Sequence, residues 1–194
     1  MSGTFVTVYT SEPDTMKMKN YNIQRRGVLI MKCIGIIGAM EQEVAKIKEK
    51  MQDVTITSRA RMDFYEGTLE GKKVVVVQSG IGKVNAGMCT QILVDLFQVE
   101  AVINTGIAGS LNNDINIGDI VLSTDVLHHD MDATGFGYPK GQIPQMKEFS
   151  FQADECLRKI AHNVCEEVNP EIQVFEGRIA SGDPVSYTHL RAHE

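Results

Sequence analysis

A carboxylate on a helix that begins where a buried strand ends is a candidate general base, and Glu43 is placed in that way. The turn Gly38-Ala39-Met40-Glu41-Gln42-Glu43 follows the apolar run Cys33–Gly38. Glu43 lies one helical turn from Met40, at the edge of a stripe made by Met40, Val44, Ile47 and Met51. Partial burial raises a carboxyl pKa toward neutrality and suits the group to proton abstraction. The plainer alternative is a surface glutamate paired with Lys46 or Lys50, worth about 0.2–0.5 kcal/mol. Two further Gly-rich turns directly follow apolar strands: Ser79-Gly80-Ile81-Gly82-Lys83 and Asn104-Thr105-Gly106-Ile107-Ala108-Gly109-Ser110. Tight turns alone demand glycine, but three of them at strand ends point to a shared pocket. Glycine lets backbone N–H groups approach a ligand beyond the carboxyl ends of a sheet.

Neither common nucleotide motif is present. A Walker A loop fails because Val84 follows Gly82-Lys83, and Val77 stands five residues before Gly82. The dinucleotide fingerprint fails at Gly35-Ile36-Ile37-Gly38 on spacing, and at Gly80-Ile81-Gly82 because Asn85 stands where the third glycine belongs. His128-His129-Asp130-Met131-Asp132 could ligate a metal, but adjacent residues of an extended chain point to opposite faces. A polar loop without metal is the expectation. Phe136-Gly137-Tyr138-Pro139 and Pro144 form an aromatic, proline-rich loop, either a covering flap or an interface patch. His162 sits beside the apolar stripe of a helix and reads as a structural histidine.

The elements that must position these residues alternate from Cys33 onward. Strands are expected at Cys33–Gly38, Phe64–Leu69, Lys73–Gln78, Ala101–Asn104, Asp119–Ser123 and Ile172–Ala180, with a hairpin turn at Glu70-Gly71. Helices are expected from the Met40 stripe, from Val84, Met88, Ile92 and Leu96, and from Ala153, Leu157, Ile160, Ala161, Val164, Cys165 and Val168. This pattern gives an α/β domain with a mostly buried, partly parallel sheet.

Composition excludes several classes. The 194 residues suit one domain, and 43% hydrophobic with 23% charged residues argues against a disordered chain or a coiled coil. The longest apolar runs, such as Val74–Val77, are far short of a membrane span of about 20 residues. A net charge of −6 without a basic run, together with the absence of Trp, argues against nucleic-acid binding. Cys33, Cys89, Cys156 and Cys165 form no C-x-x-C pair, so reduced thiols in a cytoplasmic protein are expected.

Both ends depart from this pattern. Residues 1–30 lack periodicity, and Met31-Lys32-Cys33 reads as a fresh start, so 1–30 are expected to be an extension outside the domain. Residues 184–194 have no apolar periodicity and read as a foreign tail; the domain, 31–183, is expected to be cut near Asp183.

Taken in order, the turns resemble the 5′-methylthioadenosine/S-adenosylhomocysteine nucleosidases of the nucleoside phosphorylase superfamily. The resemblance is carried by Ile34–Val44, Ser79–Ala86, Asn104–Gly109, Gly118-Asp119-Ile120-Val121, His129-Asp130 with Phe136-Gly137-Tyr138, and Ser181-Gly182-Asp183. It implies a nucleoside phosphorylase-like fold, a central mixed sheet flanked by helices, incomplete at the C-terminus. It also implies hydrolysis of the adenine N-glycosidic bond of methylthioadenosine and S-adenosylhomocysteine, without a cofactor. By resemblance Glu43 activates water, Met40 and Ile81 lie near the ribose and the 5′-alkylthio group, and Ala108 and Gly109 lie along the substrate. Phe136, Tyr138 and Pro144 would close the alkylthio pocket of a neighbouring subunit, which implies a homodimer.

The sequence also departs from the family. Ile107 stands where serine is frequent, and the aromatic expected shortly after Asp183 is missing. The later Met-Glu pair for the ribose and the Ser-Asp that protonates the purine are absent. Loss of a proton donor alone costs about 10²–10⁴-fold in rate, so the chain as written is expected to be inactive. Two alternatives stay open: a purine nucleoside phosphorylase, although the Gly80–Gly82 turn offers Lys83 and no Arg, and a non-catalytic nucleoside-binding protein.

Overall fold

The four valines of Val74–Val77 are all buried, and they explain the first half of the architecture. Side chains alternate across a strand, so an uninterrupted apolar run needs cover on both faces. Val75 and Val77 enter one core with Ile37, Phe64, Cys89, Leu93 and Val102, whereas Val74 and Val76 enter another with Ile36, Val44 and Met51. The computed structural model describes residues 2–10 and 31–184. It divides into two compact units, 9–104 and 1–8 with 105–194.

In chain order the elements are β1 (Ser2–Thr10), β2 (Ile34–Gly38), α1 (Glu41–Lys50), β3 (Gln52–Arg59), β4 (Met62–Leu69), β5 (Lys72–Gln78) and α2 (Lys83–Phe97). There follow β6 (Ala101–Gly109), β7 (Ile120–His128), a 3-10 turn at Thr134–Phe136, β8 (Phe151–Gln152), α3 (Glu155–Val168) and β9 (Val174–Ser181). In the first unit β3, β4 and β5 pair antiparallel, while β2 runs parallel to both β5 and β6. The sheet is therefore mixed, with α1 on one face and α2 on the other. Phe64 stacks on Phe97 at 5.2 Å, closing the α2 side. Glu70 and Gly71, at φ 48° and 72°, make the predicted hairpin turn between β4 and β5.

In the second unit β7 is parallel to β9 and to β1, and antiparallel to β8. The α3 N-cap is Asp154, whose Oδ1 accepts the Leu157 amide at 2.8 Å. Asp125 of β7 accepts a two-pronged contact from Arg178 of β9, Nε and Nη2 lying 3.0 and 2.6 Å from Oδ2. The guanidinium holds the Asp125 carboxyl below the usual carboxylate range.

The α/β class and the mixed, helix-flanked sheet match expectation; several boundaries do not. Ser2–Thr10 forms β1, with Thr4 level with Ile120, although the sequence places it in an extension outside the domain. The β-branched and aromatic residues Phe5-Val6-Thr7-Val8-Tyr9 suit a strand without making a clean apolar run. The rest of that extension, 11–30, lies outside the described residues, as does 185–194 of the expected tail. β6 runs on to Gly109 and β7 to His128, past the expected ends at Asn104 and Ser123. Polar residues can continue a strand wherever their side chains find partners, as Ser123 does by donating to the Asp125 carbonyl. No helix of the described residues is long and apolar enough to cross a membrane.

Candidate functional site

The first unit gathers Met40, Glu43 and the Ser79–Ile81 turn at the carboxyl ends of β2 and β5. Gly38 is level with Gln78, so β2 and β5 finish side by side, while Ile37 is level with Asn104 of β6, which runs on to Gly109. The Ser79 amide donates to the Gly38 carbonyl at 2.9 Å, tying the two turns together. α1 starts at once, and its first turn is closed reciprocally. The Glu43 amide donates to the Met40 carbonyl at 3.1 Å, and Glu43 Oε2 accepts the Met40 amide at 2.8 Å.

This accounts for the glycine at position 38. A Cβ there would lie 2.8 Å from Val44 Cγ1 and 2.9 Å from Glu43 Cβ, so only a bare Cα lets the helix start this close. Glu43 is half-buried, beside polar backbone and at a strand end where ligands of such sheets bind. Ile81 is 68% exposed beyond it. Gly80 and Gly82 adopt positive φ, 83° and 101°, and Asn85 Nδ2 donates back to the Ile81 carbonyl at 2.7 Å. Ser79 and Asn85 thus shape this turn. The glycines of this turn are legible from their spacing, whereas Ser79 and Asn85 are legible only as polar residues beside them.

The second unit carries the remaining expected residues. Ala108 and Gly109 end β6, the first half-buried and the second exposed. Phe136, Tyr138 and Pro144 lie on the long loop between β7 and β8, with Phe136 87% exposed and the other two half-buried. Asp132 starts the loop's 3-10 turn, its Oδ1 accepting from the Thr134 amide and hydroxyl at 3.0 and 2.7 Å. Those bonds hold its carboxyl below the ordinary range. Tyr138 Oη accepts the Gln145 amide at 3.3 Å. The buried Gln142 gathers the loop, its Nε2 lying 3.2, 2.8 and 3.2 Å from the carbonyls of Ile143, Met146 and Glu148. Gln142 escaped the sequence argument because a lone glutamine in a polar loop carries no pattern.

Among the described residues, no group of three or more His, Cys, Asp and Glu side chains could hold a metal ion. His162 lies between two glutamates, Nε2 3.4 Å from Glu166 and Nδ1 3.5 Å from Glu176. Cys33 and Cys89 are buried free thiols, and burial pushes Cys89 up to about 12, which leaves it inert as a nucleophile.

Comparison with known proteins gives one consistent picture. The family model described as the phosphorylase superfamily matches residues 33–193. A 5′-methylthioadenosine/S-adenosylhomocysteine nucleosidase of Anoxybacillus flavithermus is 50% identical over 156 residues, covering 80% of this chain and 66% of that protein. A protein of the same name from Staphylococcus haemolyticus is 47% identical over 150 residues, covering 77% of this chain and 64% of the relative. The chain therefore spans less than two thirds of the length of these two relatives. Among solved structures, a Colwellia psychrerythraea nucleosidase in complex with adenine aligns with a TM-score of 0.76 at 44% identity, covering 80% of this chain and 64% of that one. The Neisseria meningitidis nucleosidase in complex with methylthio-immucillin-A aligns with a TM-score of 0.77 at 41% identity, covering 81% and 68%.

Proposed function

The chain belongs to the phosphorylase superfamily, and from that premise we propose that it is the greater part of a 5′-methylthioadenosine/S-adenosylhomocysteine nucleosidase in which Glu43 activates water. The observation that carries this reading is the half-buried Glu43 carboxylate, fixed to the head of α1 at the carboxyl end of β2. Breaking the adenine N-glycosidic bond builds oxocarbenium character at the ribose, and a positioned carboxylate opposite the leaving base deprotonates the attacking water. One Glu43 oxygen serves the Met40 amide, and this holds the orientation of the whole carboxylate. Met40 and Ile81 flank the ribose and the alkylthio group in this reading, and Ala108 and Gly109 run along the nucleoside.

The names of the relatives favour hydrolysis over phosphorolysis. The reading extends to a cytoplasmic homodimer whose domain takes in 31–183 and, through its pairing with β7, β1. In that dimer Phe136, Tyr138 and Pro144 close the pocket of the neighbouring copy, and the support for this is the 87% exposure of Phe136.

The test is adenine release from methylthioadenosine, measured for the chain alone and for the chain completed with the remaining third of the Anoxybacillus flavithermus relative. The completed chain should turn over without phosphate. Its Glu43→Gln variant should keep nucleoside binding and lose at least about 10²-fold in kcat. Full activity in that variant would overturn the role of Glu43, and strict phosphate dependence would overturn hydrolysis.

A further inference from the structure

Ile81 stands between two glycines, a placement that would ordinarily put it on a hinge. Gly80 and Gly82 take φ of 83° and 101°, a region other residues rarely enter, and glycine has the most backbone freedom to lose. An apolar side chain 68% exposed on such a segment would be ordered only when a ligand arrived, and the ordering would weaken binding. Two flanking side chains remove that freedom beforehand. Ser79 Oγ donates to the Gly80 carbonyl at 2.9 Å, and Asn85 Nδ2 donates to the Ile81 carbonyl at 2.7 Å.

The place of Asn85 gives the second bond its weight. Gly82, the N-cap of α2, has no side chain with which to close the helix, and Asn85 is the third residue of the first turn. From that position a polar side chain commonly reaches back to the N-cap amide. Asn85 reaches one residue further, to the carbonyl of Ile81, and so lies across the turn. A Cβ on Gly80 would come within 3.2 Å of Asn85 Nδ2 and 3.6 Å of its Cγ. The bond ties Ile81 to a 15-residue helix anchored by the fully buried Cys89 and Leu93. On the other side the Ser79 amide holds the turn to the Gly38 carbonyl, at the strand end from which α1 and Glu43 start. Ile81 is β-branched, so its χ1 is stiff as well. The result is a stationary apolar surface at the carboxyl end of β5. It suits an apolar substituent of a ligand and leaves a hydroxyl without a partner.

We propose that Asn85 is a positioning residue that holds Ile81 as a fixed apolar wall for the 5′-alkylthio group, and so sets the preference for a thioether over a hydroxyl at that carbon. The identity of the substituent rests on the nucleosidase reading; the hold on Ile81 does not.

Two measurements on the 194-residue chain test the two halves. NMR relaxation of the Ile81 methyl groups should show their order falling in Asn85→Ala and in Asn85→Asp, which is nearly isosteric but, when ionised, has no donor for a carbonyl. Unchanged order in both variants overturns the hold. Binding of methylthioadenosine and of adenosine, which carries a hydroxyl in place of the methylthio group, reads the preference. Asn85→Ala should weaken methylthioadenosine about five- to tenfold and adenosine less than about twofold, a split that general destabilisation does not produce. Equal losses for the two nucleosides overturn the role. Once Ile81→Ala has removed the wall, adding Asn85→Ala should weaken methylthioadenosine no further; a full additional loss would show that Asn85 acts by another route and overturns the role too. A wild-type chain that takes up neither nucleoside overturns the nucleosidase reading and the alkylthio assignment with it, and the order of Ile81 still decides the hold.

Discussion

Helices α1 and α2 of the first unit and α3 of the second carry the same kind of apolar stripe, yet they exclude water very differently. α1 buries Val44, and α2 buries Cys89 and Leu93. α3 buries no residue, although Ile160, Val164 and Val168 repeat at helical spacing and are 42%, 48% and 67% exposed. The difference lies in what the facing strands offer. β5 presents four fully apolar residues in succession, two to each face. β7 interrupts its run with Ser123, Thr124 and Asp125 and shifts register there, and β9 is half-exposed along its length. Periodicity states which side of a helix turns inward. The partner surface decides how much of that side is dry.

The contrast can be broken by substitution. The largest effect should come from Phe64→Ala, which empties a fully buried site stacked on Phe97 and should cost about 3–5 kcal/mol in urea unfolding. A loss below about 1 kcal/mol would mean that the first core is looser than its burial implies. Asp125→Asn in the second unit should act through pH. The folded Asp125 pKa is depressed, so the Arg178 pair supports the fold above the ordinary carboxyl value near about 4, and this support fades as pH falls through the lower folded value. Wild-type stability should therefore fall more steeply than that of Asp125→Asn between about pH 5 and about pH 3. Parallel curves would show that the pair contributes nothing. The smallest effect should be Val168→Lys, within about 0.5 kcal/mol of wild type. A loss above about 1 kcal/mol would show that the α3 stripe is covered in solution.

What was legible in the sequence follows the same division. Val74–Val77, the α1 and α2 stripes and the Glu70-Gly71 hairpin were readable because burial on both faces leaves no polar interruption. β3 escaped because it is an edge strand of mostly exposed polar residues. The end of β7 and all of β1 escaped because Thr, Ser and Asp in these strands mask the run; their partners, such as Arg178 for Asp125, lie far along the chain. In the candidate site Glu43 was legible from its place after a strand, but its bond to Met40 was not, since spacing alone also allowed a lysine partner. The His128–Asp130 segment was legible as a polar stretch after a strand, but its partners were not: Ser181 and Asp183 lie 53 residues along the chain and come level only through the parallel register of β7 and β9.

The reciprocal bond between Glu43 and Met40 has a consequence for how such an enzyme would fail. In the proposed role the base would be part of the helix's own first turn, so its aim and the winding of that turn would be a single degree of freedom. Fraying of α1 by one turn, a fluctuation smaller than unfolding, would release the carboxylate while β2 and β5 stay paired. Warmth or mild denaturant should then silence the chemistry before any spectroscopic sign that the protein has come apart.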